Sequence, residues 1–373
     1  MNQRKRLVEW IGLFSLLLLI GCEQPPSQVS LGDFVSQIEQ SDFSGAILVA
    51  QNDEILLETG AGWADEANQV QNTAQTVFDS GSLSKQFTAA AVLTLVEQGQ
   101  IELEGTLADY LDRVSPDKSD ITIHQLLTHS SGLAPYVYEG DFVETDKDRA
   151  QTLAMESALE LGPGSEYMYS DTGYGMLAIL VEEVSGQSFV EYLDQQIFQP
   201  AGMTQTGFYN QTKWENLTVA NGYSNQTDFG SAADRPGPYW SLLGFGGVLT
   251  TVGDLYKWSQ ALDQNLILNA SSTEVLFSPH ILEYKNGESY YGYGWVIEEP
   301  GGVGKLIWHD GATDSQNSFM MMMPDQQNTV IIVLSNRIDS NWVSETFYAT
   351  DTGFALTSGL LNGDFSELPR FAR

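Results

Sequence analysis

The sequence predicts an α/β (α+β) fold in which strands from both ends of the chain build one antiparallel sheet, flanked by helices, with a mostly helical inserted domain. Three observations predict it. β-rich runs open and close the chain. Helical spacing punctuated by Gly and Pro fills the middle. An apolar helix follows directly on a short extended segment at Thr76–Phe78. At 373 residues the chain is long enough to bury a large core.

Gly45–Ala50 and Glu54–Glu58 are β-type runs separated by Gln51-Asn52-Asp53 and read as a hairpin. A helix starts at Ser82, continues through an apolar run to Val96 and stops at Gly99. Ile123–Thr128 is a short helix before the turn His129-Ser-Ser-Gly132. Ala150–Leu161 is another, closed by Gly162-Pro163-Gly164. Gly173–Val184 places Met176, Leu177, Ile179, Leu180 and Val184 at helical spacing, and Phe189–Phe198 continues as a second helix. Asn210–Pro238 is polar and aromatic and reads as an irregular surface excursion. Gly246-Gly247 leads into a helix over Val252–Leu262 with Asp254 in its first turn. Tyr291–Ile297, Lys305–His309, Ser318–Met323 and Thr329–Leu334 are β-type runs, and Val343–Leu361 is a closing helix. The expected division is an α/β part made of residues 32–100 and 241–373, with 101–240 inserted. No internal repeat or low-complexity tract interrupts it.

The chain is strongly acidic, with 49 Asp and Glu against 16 Lys and Arg. It lacks the basic face that contact with nucleic acid phosphates requires, so no nucleic-acid partner is expected. The acidity reads as a solvated, repulsive surface and says nothing about a reaction. Cys22 is the single cysteine, so no intramolecular disulfide forms. A basic start at Arg4-Lys5-Arg6 precedes an apolar run from Ile11 to Ile20, the plan of a secretory signal peptide. The run is shorter than the ~20 residues of a spanning helix. Leu19-Ile20-Gly21-Cys22 resembles the lipobox of bacterial lipoproteins. That resemblance implies a signal peptide over residues 1–21, a lipid on Cys22, a tether over 22–31 and a periplasmic, membrane-anchored protein. A membrane-spanning anchor is the alternative.

Ser82 precedes Lys85 by three residues at the head of the apolar helix, so hydroxyl and amine share a face. A serine nucleophile needs such a neighbour. At a helix N-terminus, free backbone N–H groups also stabilise developing negative charge. A second Ser-x-x-Lys, Ser115 to Lys118, contains Pro116 and reads as a loop coincidence.

Four stretches together carry a resemblance: Phe78–Phe87, Leu126–Leu133, Pro163–Tyr174 and His309-Asp-Gly311. With them the chain resembles the serine β-lactamase and penicillin-binding protein superfamily. It is most similar to the class C β-lactamase-related branch, with its family VIII carboxylesterases and D-aminopeptidase-like enzymes. The resemblance implies a β-lactamase/transpeptidase-like fold over residues 32–373. It implies Ser82 as nucleophile, Lys85 as base or charge, and Tyr169 as general acid or base. The backbone N–H groups of Ser82 and Ala312 would form an oxyanion hole. Asp171, His309 and Gly311 would meet substrate.

The second motif of the branch, Tyr-x-Asn, here reads Tyr169-Ser170-Asp171. Complete Tyr-x-Asn triplets at Tyr223 and Tyr284 lack the preceding Pro-Gly, and Tyr223 reads as a surface aromatic. A carboxylate at 171 cannot donate to a substrate carbonyl as an amide does, and it keeps Lys85 protonated. Beside Lys85, the Tyr169 phenolate is expected to be favoured, making Tyr169 the working base. The third motif, Lys-Thr-Gly in many relatives, is replaced by His309-Asp310-Gly311. A mostly neutral His309 attracts a substrate carboxylate less than lysine does.

The expected function is hydrolysis of an ester or amide through an acyl-serine, of carboxylesterase or D-amino-acid peptidase type. The substrate is a small molecule or peptide, and no metal or organic cofactor is needed. A β-lactamase or D-Ala-D-Ala carboxypeptidase, an acyltransferase and a catalytically inactive cell-wall-peptide binder are alternatives. His124, His129 and His280 do not have metal-ligand spacing and read as structural. Met320–Met323 read as core. Tyr136, Tyr138, Tyr239 and Trp240 either line the cleft or pack.

Overall fold

In the computed structural model, which describes residues 29–225, 227–340, 345–369 and 371, the two ends of the chain pair in one eight-stranded antiparallel sheet. Its strands run, in spatial order, Ile281–Leu282, Ser289–Tyr291, Val296–Glu298, Leu306–Ala312, Asn317–Met323, Thr329–Ser335, Gly45–Gln51 and Glu54–Ala61. The signal peptide, Cys22 and most of the expected tether lie outside the described residues.

Gly45–Gln51 is a nearly continuous apolar run because it is central: it pairs with Thr329–Ser335 on one side and Glu54–Ala61 on the other. The hairpin turns at Asn52 and Asp53, both at positive φ, which a two-residue turn matching the twist of its strands requires. Alternate side chains of the central strands enter two different cores. Leu48, Met320, Met322 and Ile332 face the helical body, while Ile47, Met321, Met323 and Val333 pack with Phe34, Tyr348 and Leu356. The four consecutive methionines are therefore core, two on each face.

The second face is covered by helices Leu31–Glu39 and Tyr348–Asn362. The first of these was not expected. Its signal is the capping box Ser30 and Asp33 ahead of Phe34 and Ile38, one turn apart. A further unforeseen helix, Ala270–Leu276, is capped by Asn269.

On the first face, helix Ser84–Glu97 is buried nearly all round, and its apolar residues from Phe87 to Val96 follow no single stripe. It ends before Gly99, at φ +69. It packs against helix Asp171–Ser185, and that contact brings the Ser82 and Tyr169 segments together. The α-helix starts at Ser84 rather than Ser82, which sits in a 3₁₀ turn, Gly81–Leu83. The buried Asp79 carboxylate takes the Gly81 N–H at 3.0 Å and tightens this turn.

Other expected bounds shift for local reasons. The helix expected at Ala150–Leu161 runs Lys147–Glu156, because the Asp146 carboxylate caps it by accepting from the Arg149 N–H. The run Tyr291–Ile297 is two strands joined by a turn through Gly294, at φ +78. Phe189–Phe198 is α-helical to Leu193 and then widens to a π turn. The 210–238 excursion carries strands Asn221–Ser224 and Thr227–Ser231, which join Arg337–Ser340 and Glu345–Phe347 in a second sheet. Tyr223 is therefore buried rather than a surface aromatic, and its hydroxyl accepts from the Glu66 N–H at 2.8 Å. Among the described residues no helix is long and apolar enough to cross a membrane.

Candidate active site

Ser82 is presented by a turn held on three sides. Asp79 anchors Gly81, whose φ of +51 is open to glycine at little cost. The Ser80 hydroxyl donates to the Val248 carbonyl at 2.8 Å, and the Ser80 carbonyl accepts from the Ser318 hydroxyl at 2.7 Å. Strand Leu306–Ala312 closes the third side. A Cβ on Gly311 would lie 2.3 Å from the Ser80 carbonyl oxygen and 2.7 Å from the Ser82 nitrogen. Gly311 is thus the residue that lets the strand touch the turn. This approach sets Ala312 beside Ser82 in the lining of one cleft.

One 3₁₀ turn later Lys85 points back at Ser82, since residues three apart eclipse in such a turn. Its Nζ donates to Ser82 Oγ at 3.1 Å and to the Phe245 carbonyl at 3.3 Å, and it lies 2.7 Å from Asp171 Oδ1. Lys85 is fully buried, whereas the Asp171 side chain keeps 28% exposure. Asp171 opens helix Asp171–Ser185, behind the N-cap Ser170, and an anion in a first helical turn is itself favoured.

Tyr169 is half-buried in the extended link before that helix. Its hydroxyl is hydrogen-bonded to both Lys85 and Ser82. Its ring lies under the ammonium, 4.6 Å from Nζ to centroid.

The electrostatics differ from the sequence expectation. Burial opposes the Lys85 charge, but Asp171 and then Tyr169 outweigh it, and the ammonium is held above its ordinary pKa. For Tyr169, burial raises the phenol and Asp171 adds to the rise. Lys85 pulls down but does not win, so Tyr169 also stands above its ordinary value. The phenolate is therefore not favoured: burial outweighs the pull of Lys85, and Asp171 offsets part of that pull.

His309 is 1% exposed and does not line the cleft. Its Nε2 is 3.1 Å from the Tyr291 hydroxyl and its ring centroid is 6.3 Å from that of Tyr169. It is bonded to Tyr291 beside the Tyr169 ring, and its imidazole is buried rather than presented to the cleft. Tyr136, Tyr138, Tyr239 and Trp240 do not line the cleft either; their sequence neighbours Asp141, Phe142, Leu242 and Phe245 do. Tyr136 donates to Asp141 at 2.8 Å, and Tyr138 stacks on Phe245. Burial raises the Asp141 pKa, Tyr136 lowers it, and Asp171 and Asp314 raise it again, to a net rise. Asp141 and Phe245 carry no motif; the glycines around Phe245 are the only signal that pointed to that stretch.

The Ser115 to Lys118 copy assembles no site, since Lys118 Nζ binds Asp117 and the Met155 carbonyl. His124 bonds the Tyr293 hydroxyl at 2.7 Å, and His280 stacks on that ring. Among the described residues no group of three or more His, Cys, Asp or Glu side chains is placed to hold a metal ion.

A family model described as Beta-lactamase matches residues 34–348. Penicillin-binding protein 4* of Bacillus subtilis is 29% identical over 330 residues, which is 82% of this chain and 70% of that protein. Protein flp of Staphylococcus aureus is 27% identical over 326 residues; the chain spans 62% of its length, and 82% of this chain is matched. Among solved structures, a penicillin binding protein from Bacillus halodurans superposes with a TM-score of 0.70 at 27% identity, covering 83% of this chain and 95% of its own. The octameric penicillin-binding protein homologue from Pyrococcus abyssi reaches a TM-score of 0.74 at 25% identity, covering 90% of this chain and 78% of its own.

Proposed function

Because the chain belongs to the beta-lactamase family, among relatives named as penicillin-binding proteins, we propose that it is a serine hydrolase cleaving an ester or amide through an acyl-Ser82 intermediate. The observation that carries this reading is the Ser82 hydroxyl, 3.1 Å from Lys85 Nζ and hydrogen-bonded to Tyr169, in a cleft shared with Ala312.

With Lys85 an ammonium and Tyr169 a neutral phenol, neither is a free base. Tyr169 acts as a relay. Ser82 Oγ attacks the carbonyl while its proton passes to the Tyr169 oxygen, and the phenol's own proton goes to the leaving oxygen or nitrogen. Lys85 lowers the energy of the developing alkoxide, and the Ser82 and Ala312 N–H groups take the oxyanion, each worth about 3 kcal/mol of barrier. Water then enters, gives its proton through Tyr169 to Ser82, and releases the acid.

The cleft favours neutral or cationic substrates. Its lining includes Asp141 and Asp171 and no cationic side chain, and Lys85 behind it is already paired. A substrate carboxylate would meet like charge there. Carboxylesterase or D-amino-acid peptidase chemistry is therefore preferred to β-lactam hydrolysis. The names of the relatives keep a β-lactamase or D-Ala-D-Ala carboxypeptidase as the second reading. A periplasmic, lipid-anchored location through Cys22 is part of the same proposal and rests on the sequence alone.

The test is intact-mass detection of adducts on Ser82 with p-nitrophenyl esters, D-amino acid amides and a penicillin in parallel, with Ser82→Ala as control. Ester or amide adducts support the preferred reading, and a penicillin adduct alone supports the second. Adducts with none of the three would end the hydrolase reading in favour of a binding protein.

A further inference from the structure

His129 has no part in the reaction above, yet its placement is unusual. It adopts φ +57, a left-handed conformation that costs a residue with a Cβ roughly 1–2 kcal/mol. It is 1% exposed. From this position its carbonyl accepts the Met168 N–H at 2.8 Å, and its Nδ1 accepts the Ser170 N–H at 3.0 Å. The two bonds grip the backbone on either side of Tyr169. The imidazole also lies against the Tyr169 ring, 4.3 Å between centroids at 36°. The rest of its turn holds the same segment further along: Ala134 O accepts from the Ser170 hydroxyl at 2.9 Å, and Pro135 O accepts from the Asp171 N–H at 2.8 Å.

A buried histidine that only fills space needs neither the strained backbone nor the acceptor. Because Nδ1 accepts from a backbone N–H, it carries no proton, and the ring is the neutral Nε2–H tautomer.

We infer that His129 is a positioning residue: it clamps Met168 and Ser170 so that the Tyr169 hydroxyl stays within reach of both Ser82 and Lys85. The inference uses the acyl-serine reading for its kinetic test. A displacement of about 1 Å at a proton-transfer group is enough to lower a rate about 100-fold.

The test compares His129→Gly with His129→Asn. Both residues tolerate the left-handed backbone, but only Asn, through Oδ1, can replace the Nδ1 acceptor. With a p-nitrophenyl ester, kcat of the Gly variant should fall about 100-fold at little changed KM, and the Asn variant should stay within about threefold of wild type. Wild-type kcat in the Gly variant, equal losses in both variants, or a loss confined to KM would overturn the inference. If the Gly variant does not fold, the Asn variant decides: a folded Asn variant near wild type supports the clamp, and one lowered as far as about 100-fold refutes it. If the wild type forms no adduct with any probe, the hydrolase reading fails separately. Crystal structures of the two variants then judge the clamp, supporting it if the Tyr169 hydroxyl leaves Ser82 in Gly but not in Asn, and refuting it if the hydroxyl moves in neither.

Discussion

Asp171 lies 2.7 Å from the Lys85 ammonium, and that contact adds to the burial that holds Tyr169 above its ordinary pKa. An unpaired Lys85 would favour a phenolate beside it. Paired, it presents Tyr169 with little net charge, and burial then keeps the phenol protonated. The same carboxylate that holds the lysine charged also leaves the tyrosine as a relay rather than a base, and it narrows the substrates the cleft accepts.

Asp171→Asn should therefore change both pH dependence and specificity. Lys85 has a folded pKa above its ordinary 10.5, so its pairing contributes stability that is complete below that value and is lost as pH rises through the higher one. Removing the carboxylate leaves a buried ammonium less well matched, at a cost of about 3 kcal/mol near neutral pH. Urea unfolding across pH 7–11 should show lower stability and an earlier alkaline decline. Both the lysine and the tyrosine lose an upward influence, so the alkaline limb of kcat should move to lower pH, and a penicillin should acylate faster. An unmoved limb with unmoved stability would refute the coupling.

Tyr169→Phe keeps the ring against His129 and removes only the hydroxyl. If Tyr169 relays the proton, kcat should fall by about 10²- to 10⁴-fold. KM should hold and the thermal midpoint should change little, since the ring packing survives. Stopped-flow acylation with a p-nitrophenyl ester measures this directly. A variant acylated at the wild-type rate would move the relay to another group.

The features legible in the sequence are those set by near neighbours or by burial on both faces. Gly45–Ala50 reads as a strand because its apolar run is continuous, and Ser82 with Lys85 reads as a pair because three residues bring them to one side of the turn. Tyr169 was singled out by resemblance, since the Pro163-Gly164 before it and the helix after it match the family's second motif. What was not legible depends on parts of the chain that meet only in the fold. Tyr223 is buried with its hydroxyl bonded to the Glu66 N–H at the end of strand Trp63–Asp65, and His309 is bonded to Tyr291. Asp141 and Phe245 reach the cleft from stretches with no motif. The protonation of Tyr169 is a balance of burial and the Asp171 charge against the Lys85 charge, and no spacing rule contains that sum.

Asp79→Asn should change how stability depends on pH. Burial pushes the Asp79 carboxyl up to about 6, against the opposing hydrogen bonds from Tyr209 and Gly81 and the charge of Arg235. A folded pKa above the ordinary 3.8 means that the folded state holds the proton more tightly. Its contribution to stability is complete below the unfolded value and is lost as pH rises through about 6. Asparagine still accepts from the Gly81 N–H and does not ionise. The variant lacks the acceptor that Asp79 offers the Tyr209 hydroxyl, a loss independent of pH, but between pH 4 and pH 7.5 it should gain on wild type by on the order of 3 kcal/mol. Denaturant titrations at the two pH values measure it, and identical pH slopes in the two proteins would show that Asp79 titrates normally.

Gly311→Ala tests whether the contact between strand and nucleophile turn matters for the chemistry. The added methyl would meet the Ser80 carbonyl at 2.3 Å and the Ser82 nitrogen at 2.7 Å, and both obstacles are backbone atoms that no rotamer change relieves. The strand must move away from the turn, which costs roughly 1–3 kcal/mol of stability. The same movement separates the Ala312 and Ser82 N–H groups, and loss of one oxyanion donor should lower kcat about 100-fold or more. Ser318→Ala provides the control: it removes the hydroxyl bond to the Ser80 carbonyl but leaves room at the contact, so it should lose stability with far less effect on kcat. Urea titration alongside steady-state kinetics on both variants separates the two effects. Equal kcat losses at equal destabilisation would mean that the turn needs only general support and that the glycine's close approach has no special part in holding the oxyanion.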